Sequence, residues 1–282
     1  MTQDAATPTP PSPIVFNRPT LVGNELDYVR RAVEGGHTSA AGPFSRRVAD
    51  LLREAHGAAD VLLTTSCTDA LEMAAMLLGH RPGDTVIVPS FTFVSSALAF
   101  AREGFRIVFA DIEPATLGID PEHVAELVDD STRAVVAVHY GGIAADLPGL
   151  DRALRGRPVD LLEDNAHGLF ATFGGRMLGT FGRLATLSFH ETKNFTCGEG
   201  GALVLNHPRD VGRAHVLLHK GTNRRAFLLG QVDKYSWQDL GSSFGLCELN
   251  AAYLLAQLEA RREILARRRE VFDHYARLLE PR

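Results

Sequence analysis

Lys193 stands in the stretch Ser188-Phe189-His190-Glu191-Thr192-Lys193-Asn194, shortly before Gly198-Glu199-Gly200-Gly201. Upstream, Glu163-Asp164-Asn165-Ala166-His167 closes an apolar run. A lysine presented after a buried strand can form a Schiff base with an aldehyde or ketone, because burial lowers its pKa and leaves a neutral amine. An acid at the end of another strand can hold a protonated pyridine nitrogen, which lets the ring accept electrons from a developing carbanion. These are the two protein groups that pyridoxal phosphate chemistry needs most. Neither half means much alone. A lone lysine is usually a solvated surface group, and an acid at a strand end commonly caps the next segment.

Other residues lie where they could complete such a site, each with a plainer alternative. Ser188 can donate its hydroxyl to a phosphate or simply satisfy the end of its strand. His167 can touch the phenolic oxygen of the ring or serve as a structural histidine. Thr64-Thr65-Ser66-Cys67-Thr68-Asp69-Ala70-Leu71 passes from an apolar strand through small hydroxylated residues into a helix. Free N–H groups and the positive end of the helix make such a turn an anion site; an ordinary N-cap is the alternative. The turn lacks the glycines of a nucleoside triphosphate loop. Pro89-Ser90-Phe91-Thr92-Phe93-Val94 brings two aromatics to a strand end, where either can stack on a flat ring or pack in the core. His190-Glu191 has Asn194 where a zinc motif needs its second histidine, so no metal site is expected.

The elements that must position these groups follow from periodicity. Apolar runs occur at Val61-Leu62-Leu63, Val86-Ile87-Val88, Ile107-Val108-Phe109, Val135-Val136-Ala137-Val138, Leu161-Leu162, Leu184-Ala185-Thr186-Leu187 and Ala202-Leu203-Val204-Leu205. Most lack polar alternation, as strands covered on both faces do. Amphipathic stretches at 69–78, 95–102 and 147–154 separate several of them. The expectation is an α/β fold with a mostly parallel seven-stranded sheet and helices on both faces. Ligands in such sheets bind outside the carboxyl ends of the strands, where the motifs fall. A helix capped by Asn24, with Leu26, Val29 and Val33 on its apolar side, is expected before the first strand. Residues 247–279 read as one long helix or two, with Leu254, Leu258, Ile264 and Leu265 on one stripe.

Composition narrows the function classes. The chain has 282 residues, 45% of them hydrophobic and 22% charged, enough for a sizeable core. A net charge of −5 argues against a nucleic-acid surface. Cys67, Cys197 and Cys247 show neither metal spacing nor a disulfide framework, as expected in a reducing compartment. No signal segment and no membrane-spanning run is read, which predicts a soluble cytoplasmic protein. The Pro-, Thr- and Ala-rich residues 1–13 read as a disordered lead-in.

These blocks, in this order, resemble the DegT/DnrJ/StrS sugar aminotransferases of the aspartate aminotransferase fold type I. Thr68-Asp69-Ala70-Leu71, Pro89–Val94, Glu163–His167, Ser188–Asn194 and Gly198–Gly201 carry the resemblance, which runs over about 16–259. Within the family, Lys220-Gly221-Thr222-Asn223-Arg224 and Gly230-Gln231-Val232-Asp233-Lys234-Tyr235 are most similar to dTDP-4-amino-4,6-dideoxygalactose transaminases of cell-surface polysaccharide synthesis. The resemblance implies residues 14–246 as the large domain that binds pyridoxal 5′-phosphate. It implies 247–282 as a helical segment leading to a small C-terminal domain that this chain largely lacks.

By the same resemblance, Lys193 holds the cofactor as an internal aldimine and shuttles the proton. Asp164 pairs with the pyridinium, and His167 meets the phenolic oxygen where the family often has glutamine. Phe93 stacks on the ring, while Thr68, the Asp69 backbone N–H and Ser188 hold the phosphate. Asn223 reaches the phosphate in a neighbouring subunit, which implies a homodimer. The reaction implied moves an amino group from L-glutamate to the C4 ketone of a nucleotide-linked 4-keto-6-deoxyhexose. A truncated, catalytically silent homologue acting as a dimeric binding protein is the alternative. Dehydrating members carry histidine in place of the lysine, and this chain keeps Lys193. Asn165 stands where the family usually has alanine.

Overall fold

The computed structural model describes residues 15–280, so the lead-in expected over 1–13 lies outside the described residues. Two helices come first, α1 (Glu25–Glu34) and α2 (Pro43–His56), then β1 (Asp60–Thr64), α3 (Cys67–Leu78), β2 (Thr85–Pro89), α4 (Ser95–Arg102) and β3 (Arg106–Ala110). The middle of the chain forms α5 (Pro121–Leu127), β4 (Thr132–Val138), a 3-10 turn at Tyr140–Gly142, α6 (Leu147–Leu154) and β5 (Asp160–Asp164). A small hairpin, β6 (Thr172–Phe173) and β7 (Arg176–Met177), precedes β8 (Leu184–Ser188) and β9 (Gly201–Leu205). Then follow α7 (Pro208–Leu218), α8 (Arg224–Leu228), α9 (Glu248–Glu259) and α10 (Arg261–Leu279).

Seven strands form one sheet in the order β1-β9-β8-β5-β4-β2-β3. Only β9 runs against its neighbours, pairing antiparallel with β1 and β8; the other pairs are parallel. All seven apolar runs are these strands. Their side chains alternate between two cores, as the pleat requires. Leu62, Val86, Val88, Val136, Leu184 and Leu203 pack with α3, α4 and α7 on one face. Val61, Leu63, Leu187 and Val204 pack with α2 and α9 on the other, and Ile87, Val135 and Ala137 continue that face under α5 and α6.

Two details differ from the sequence reading, and one is narrowed. In α1, Leu26 is 79% and Val33 56% exposed, whereas Glu25 and Ala32 are buried. Polar partners choose the inward face: Glu25 accepts from the N–H groups of Val22 and Gly23 and from Gln257 Nε2, and Tyr28 donates to Glu259 Oε2 at 2.6 Å. The second is α3, which is buried around almost its whole circumference rather than on one stripe, because it lies between the sheet, α4 and α7. Of the two readings of the C-terminal segment, the structure shows the second: two helices that break at Ala260. Leu254, Leu258 and Ile264 are buried there as expected.

The topology brings the carboxyl ends of β1, β2, β4, β5 and β8 to one rim, together with the amino end of β9. Thr68, Phe93, Asp164, His167, Ser188 and Lys193 therefore sit on, or just beyond, a single edge of the sheet.

Candidate active site

The segment carrying Lys193 is an extension of the β8–β9 pair closed on itself. Phe189 N–H donates to Gly200 O and Glu191 N–H to Gly198 O, both at 2.8 Å, and Cys197 N–H returns to Phe189 O at 2.9 Å. Within the loop, Lys193 N–H donates to His190 O at 2.9 Å. Phe189 and Phe195 are fully buried beneath it, so the loop is anchored on both sides of the lysine. Two glycines are required by geometry. Gly198 has φ 85°, a region that other residues rarely adopt, and a Cβ on Gly201 would collide with the backbone of Ser66 and Cys67. That close approach sets the lysine loop directly against the turn that starts α3.

Lys193 is half-buried, and burial holds its amine below the ordinary lysine range, opposed by Cys67 and Asp164. Burial in turn raises the Cys67 thiol, which is uncharged near neutral pH, so Asp164 is the effective opposing charge. Asp164 is buried at the end of β5; its Oδ2 accepts from Ser96 Oγ at 2.7 Å and its Oδ1 from Ala166 N–H at 3.2 Å. His167 lies in the same field. Burial and then Lys193 push its pKa down, with Asp164 pulling the other way. Its Nδ1 accepts the Gly141 N–H at 3.0 Å, which assigns the ring proton of the neutral imidazole to Nε2. Tyr140 packs edge-on against this ring at 5.2 Å, and Phe91 lies 4.6 Å from Tyr140.

The neighbouring acid has a different fate. Glu163 Oε2 accepts from His139 Nε2 at 2.9 Å and Gly179 N–H at 2.7 Å, and its Oε1 accepts from Phe181 and Gly182 N–H at 2.6 and 2.7 Å. Burial alone would raise this carboxyl, yet the bonds from His139, Gly182 and Gly179 bring it below its usual value. Glu163 is consumed by the fold. Asp164 is the acid left facing the rim.

At the start of α3, Ser66 Oγ accepts the Asp69 N–H at 3.0 Å as an N-cap, so that N–H is already engaged. Thr68 Oγ1 lies 2.8 Å from Ser95 Oγ. Ser188 is buried, and His190 N–H reaches its hydroxyl only at 3.5 Å. Phe93 is 70% exposed at the mouth. Asn223 is spent within its own arm: its side chain bonds Lys234 O at 2.9 Å, Ser236 Oγ at 3.2 Å and Ser236 N–H at 2.8 Å. The structure thus gathers Lys193, Asp164 and His167 into one electrostatic cluster and leaves Asn223 engaged elsewhere in the same chain.

Three residues with no role assigned from sequence also belong here: Ser95, Ser96 and Thr186. Thr186 Oγ1 is buried opposite Asp164 in the β5–β8 register with only the weak thiol partner Cys67 beside it. The available signal was a pair of hydroxyls immediately after the aromatic strand end. A pyridoxal phosphate fits this set of groups. A depressed amine, a buried carboxylate, an imidazole presenting Nε2–H, and hydroxyls at a helix N-terminus match its aldehyde, pyridinium, phenolic oxygen and phosphate in turn. Among the described residues, no cluster of side chains suited to a metal ion occurs.

Comparison with known proteins identifies the family. A model of the DegT/DnrJ/EryC1/StrS aminotransferase family matches residues 19–282. Over 224 residues the chain is 37% identical to the 3-amino-5-hydroxybenzoate synthase of Amycolatopsis mediterranei (strain S699), covering 79% of this chain and 57% of that protein. It is 32% identical over 263 residues to the spore coat polysaccharide biosynthesis protein SpsC of Bacillus subtilis (strain 168), covering 92% of this chain and 67% of the relative. The crystal structure of the aminotransferase TlmJ from Streptoalloteichus hindustanus matches with a TM-score of 0.86 at 34% identity, covering 94% of this chain and 71% of that one. The chain therefore spans 57% of the length of the first of these relatives.

Proposed function

The chain belongs to the DegT/DnrJ/EryC1/StrS aminotransferase family, whose aminotransferases work with pyridoxal 5′-phosphate, and from that premise we propose a sugar-nucleotide aminotransferase. It moves an amino group from L-glutamate to the C4 ketone of a nucleotide-linked 4-keto-6-deoxyhexose, as dTDP-4-amino-4,6-dideoxygalactose transaminases do. The observation that carries this reading is the convergence of Lys193, Asp164 and His167 at one rim of the sheet. Relationship to SpsC over 92% of the chain supports the polysaccharide direction.

When bound, the cofactor supplies an electrophilic carbonyl and a ring that accepts electrons. The protein's part is acid–base and positional. Lys193 Nζ, neutral for a larger fraction of the time than a solvated lysine, would be the nucleophile that holds the cofactor and the base that takes up and returns a proton. With the cofactor in place, Asp164 would keep the pyridine nitrogen protonated, and His167 Nε2–H would be the donor for the phenolic oxygen. Thr68, Ser188 and the N-terminus of α3 would hold the phosphate, the Asp69 N–H only where the Ser66 cap yields. Phe93 covers the ring.

Asn223 would serve the phosphate of a neighbouring subunit, in a homodimer, only where its amide gives up Lys234 O and Ser236. Supporting this, its arm exposes the large apolar side chains Phe227, Leu228, Leu229, Tyr235, Trp237 and Leu240, of the kind that a partner subunit covers. In this reading residues 14–246 are the cofactor-binding domain and 247–282 its helical continuation, in a cytoplasmic enzyme whose three cysteines stay free. No helix among the described residues is long and apolar enough to cross a membrane.

Incubating the cofactor-loaded protein with glutamate and a panel of nucleotide-linked 4-keto sugars tests the proposal. An amino sugar must appear, and Lys193→Ala must abolish both turnover and the borohydride-reducible link to the cofactor. Bound cofactor with no amine transfer to any keto sugar would replace this reading with the silent binding homologue.

A further inference from the structure

The first turn of α4 carries two adjacent buried serines, Ser95 and Ser96, the second at 0% exposure. Consecutive positions on a helix point about 100° apart, so the pair faces two directions at once. Ser95 Oγ meets Thr68 Oγ1 at 2.8 Å, at the turn that starts α3. Ser96 Oγ meets Asp164 Oδ2 at 2.7 Å and Thr92 Oγ1 at 2.7 Å. A buried hydroxyl is costly without a partner. The two serines make sense as contacts, not as filler.

Proton counting fixes the direction of the second contact. An ionised Asp164 is an acceptor only, so Ser96 must give it the single hydroxyl proton it owns. Thr92 must then donate to Ser96. The result is a relay, Thr92 to Ser96 to Asp164, in which each bond polarises the next. It begins at a half-buried threonine between Phe91 and Phe93 at the mouth and ends on a buried carboxylate.

We propose that Ser96 and Ser95 are positioning residues that hold the two ends of the cofactor site at a common spacing, Ser96 aiming the Asp164 carboxylate by donating to it and Ser95 orienting Thr68. This deepens the pyridoxal phosphate reading and rests on it. The other titratable groups acting on Asp164 are Lys193 from the loop after β8, His167 from the loop after β5 and the Cys67 thiol from α3. Ser96 differs from all of them in carrying no charge of its own.

The test compares wild type with Ser96→Ala, Ser96→Thr, Thr92→Val and Ser95→Ala, measuring pyridoxal phosphate affinity on cofactor-free protein across pH. The Ser96–Asp164 bond exists before the cofactor binds, so only the part that strengthens on binding reaches the affinity. Ser96→Ala should weaken binding by about tenfold, the lower end of the roughly 10- to 100-fold that a hydrogen bond to a charged group is worth outright. Its acid limb should move to higher pH. Ser96→Thr should restore affinity to within about threefold, since it keeps the hydroxyl. Thr92→Val should weaken binding a few-fold in the same pH-dependent way, whereas the loss in Ser95→Ala should be independent of pH. In parallel, carbon NMR of the Asp164 carboxyl in the cofactor-free protein should show its pKa raised by Ser96→Ala. Wild-type affinity with an unmoved acid limb and an unmoved Asp164 titration in Ser96→Ala would overturn the proposal. So would equal losses in Ser96→Ala and Ser96→Thr, which would mean packing alone. Failure of the wild type to take up pyridoxal phosphate would instead sink the cofactor reading, leaving the NMR titration to decide the Ser96–Asp164 contact.

Discussion

Replacing each of two adjacent acids by its amide should separate what the fold needs from what the site needs. In Glu163→Gln one carboxylate oxygen becomes an NH2 group. Facing Phe181 and Gly182, that NH2 meets two backbone donors; facing His139 and Gly179, it meets the imidazole N–H and a third backbone donor. His139 cannot turn its proton away freely, because its Nδ1 accepts the Ala145 N–H at 3.3 Å. Either orientation strands two buried donors, at about 1–3 kcal/mol each, so a loss of roughly 2–6 kcal/mol is expected. Asp164→Asn is different. The amide can keep oxygen toward Ala166 N–H and turn NH2 toward Ser96, whose hydroxyl rotates to accept. Its cost to the cofactor-free protein should stay within about 1 kcal/mol. Urea denaturation of both cofactor-free variants, together with pyridoxal phosphate titration, measures the contrast. Glu163→Gln should fall far in stability, and Asp164→Asn should stay near wild type while losing at least tenfold in cofactor affinity. Equal stabilities for the two variants, or a stable Glu163→Gln that fails to bind cofactor, would refute the division of roles.

Three further outcomes follow from particular residues. Burial, His215 and the nearby Arg224, Lys220 and Arg225 bring the half-buried His219 down to about 4 from 6.5, so on acidification the unfolded chain takes up its proton first. Stability should be flat above pH 6.5 and fall between there and about pH 4, by at most about 3 kcal/mol and by less after solvent screening. Denaturation midpoints against pH should show a shallower fall in His219→Gln; an identical slope would exclude His219 as a source. Phe93→Ala should weaken pyridoxal phosphate about 2- to 10-fold without lowering the melting temperature of the cofactor-free protein, given an aromatic contact of about 0.5–1.5 kcal/mol. Leu240→Asp with Trp237→Ser should shift the protein from dimer to monomer in sedimentation velocity, and a wild-type monomer would end the shared-site reading of Asn223.

The sheet was legible because its strands are covered on both faces and so appear as unbroken apolar runs, each answered by one strand of the structure. The orientation of α1 was not. Leu26 and Val33 read as its inward stripe, yet Glu25 and Ala32 point inward, because Gln257 and Glu259 of α9 lie more than 200 residues away in sequence and hydrogen-bond the polar face. Hydrophobic spacing does not encode a partner that distant. The same holds for α3, whose burial on nearly all sides reflects α4 and α7 closing over it, not its own pattern.

At the site, residue types at strand ends pointed to Lys193, Asp164 and His167, but two relations needed geometry. One is the choice between Glu163 and Asp164, which alternate in side-chain direction along β5. Glu163 turns toward the 179–182 backbone, which offers three N–H donors at once, and that concentration of donors is a property of a turn eighteen residues further on. The other is Ser95-Ser96. In sequence they are two small polar residues opening a helix, indistinguishable from a solvated first turn. In space the helix lies across the rim, so one step along the chain separates a hydroxyl at the Thr68 turn from a hydroxyl on the Asp164 carboxylate. A displacement of α4 along its axis would disturb both contacts together. Substitutions inside α4, such as Phe100→Leu, should therefore weaken cofactor binding although Phe100 touches neither end of the site. If a destabilising change at Phe100 left affinity at the wild-type level, α4 would not be setting the spacing.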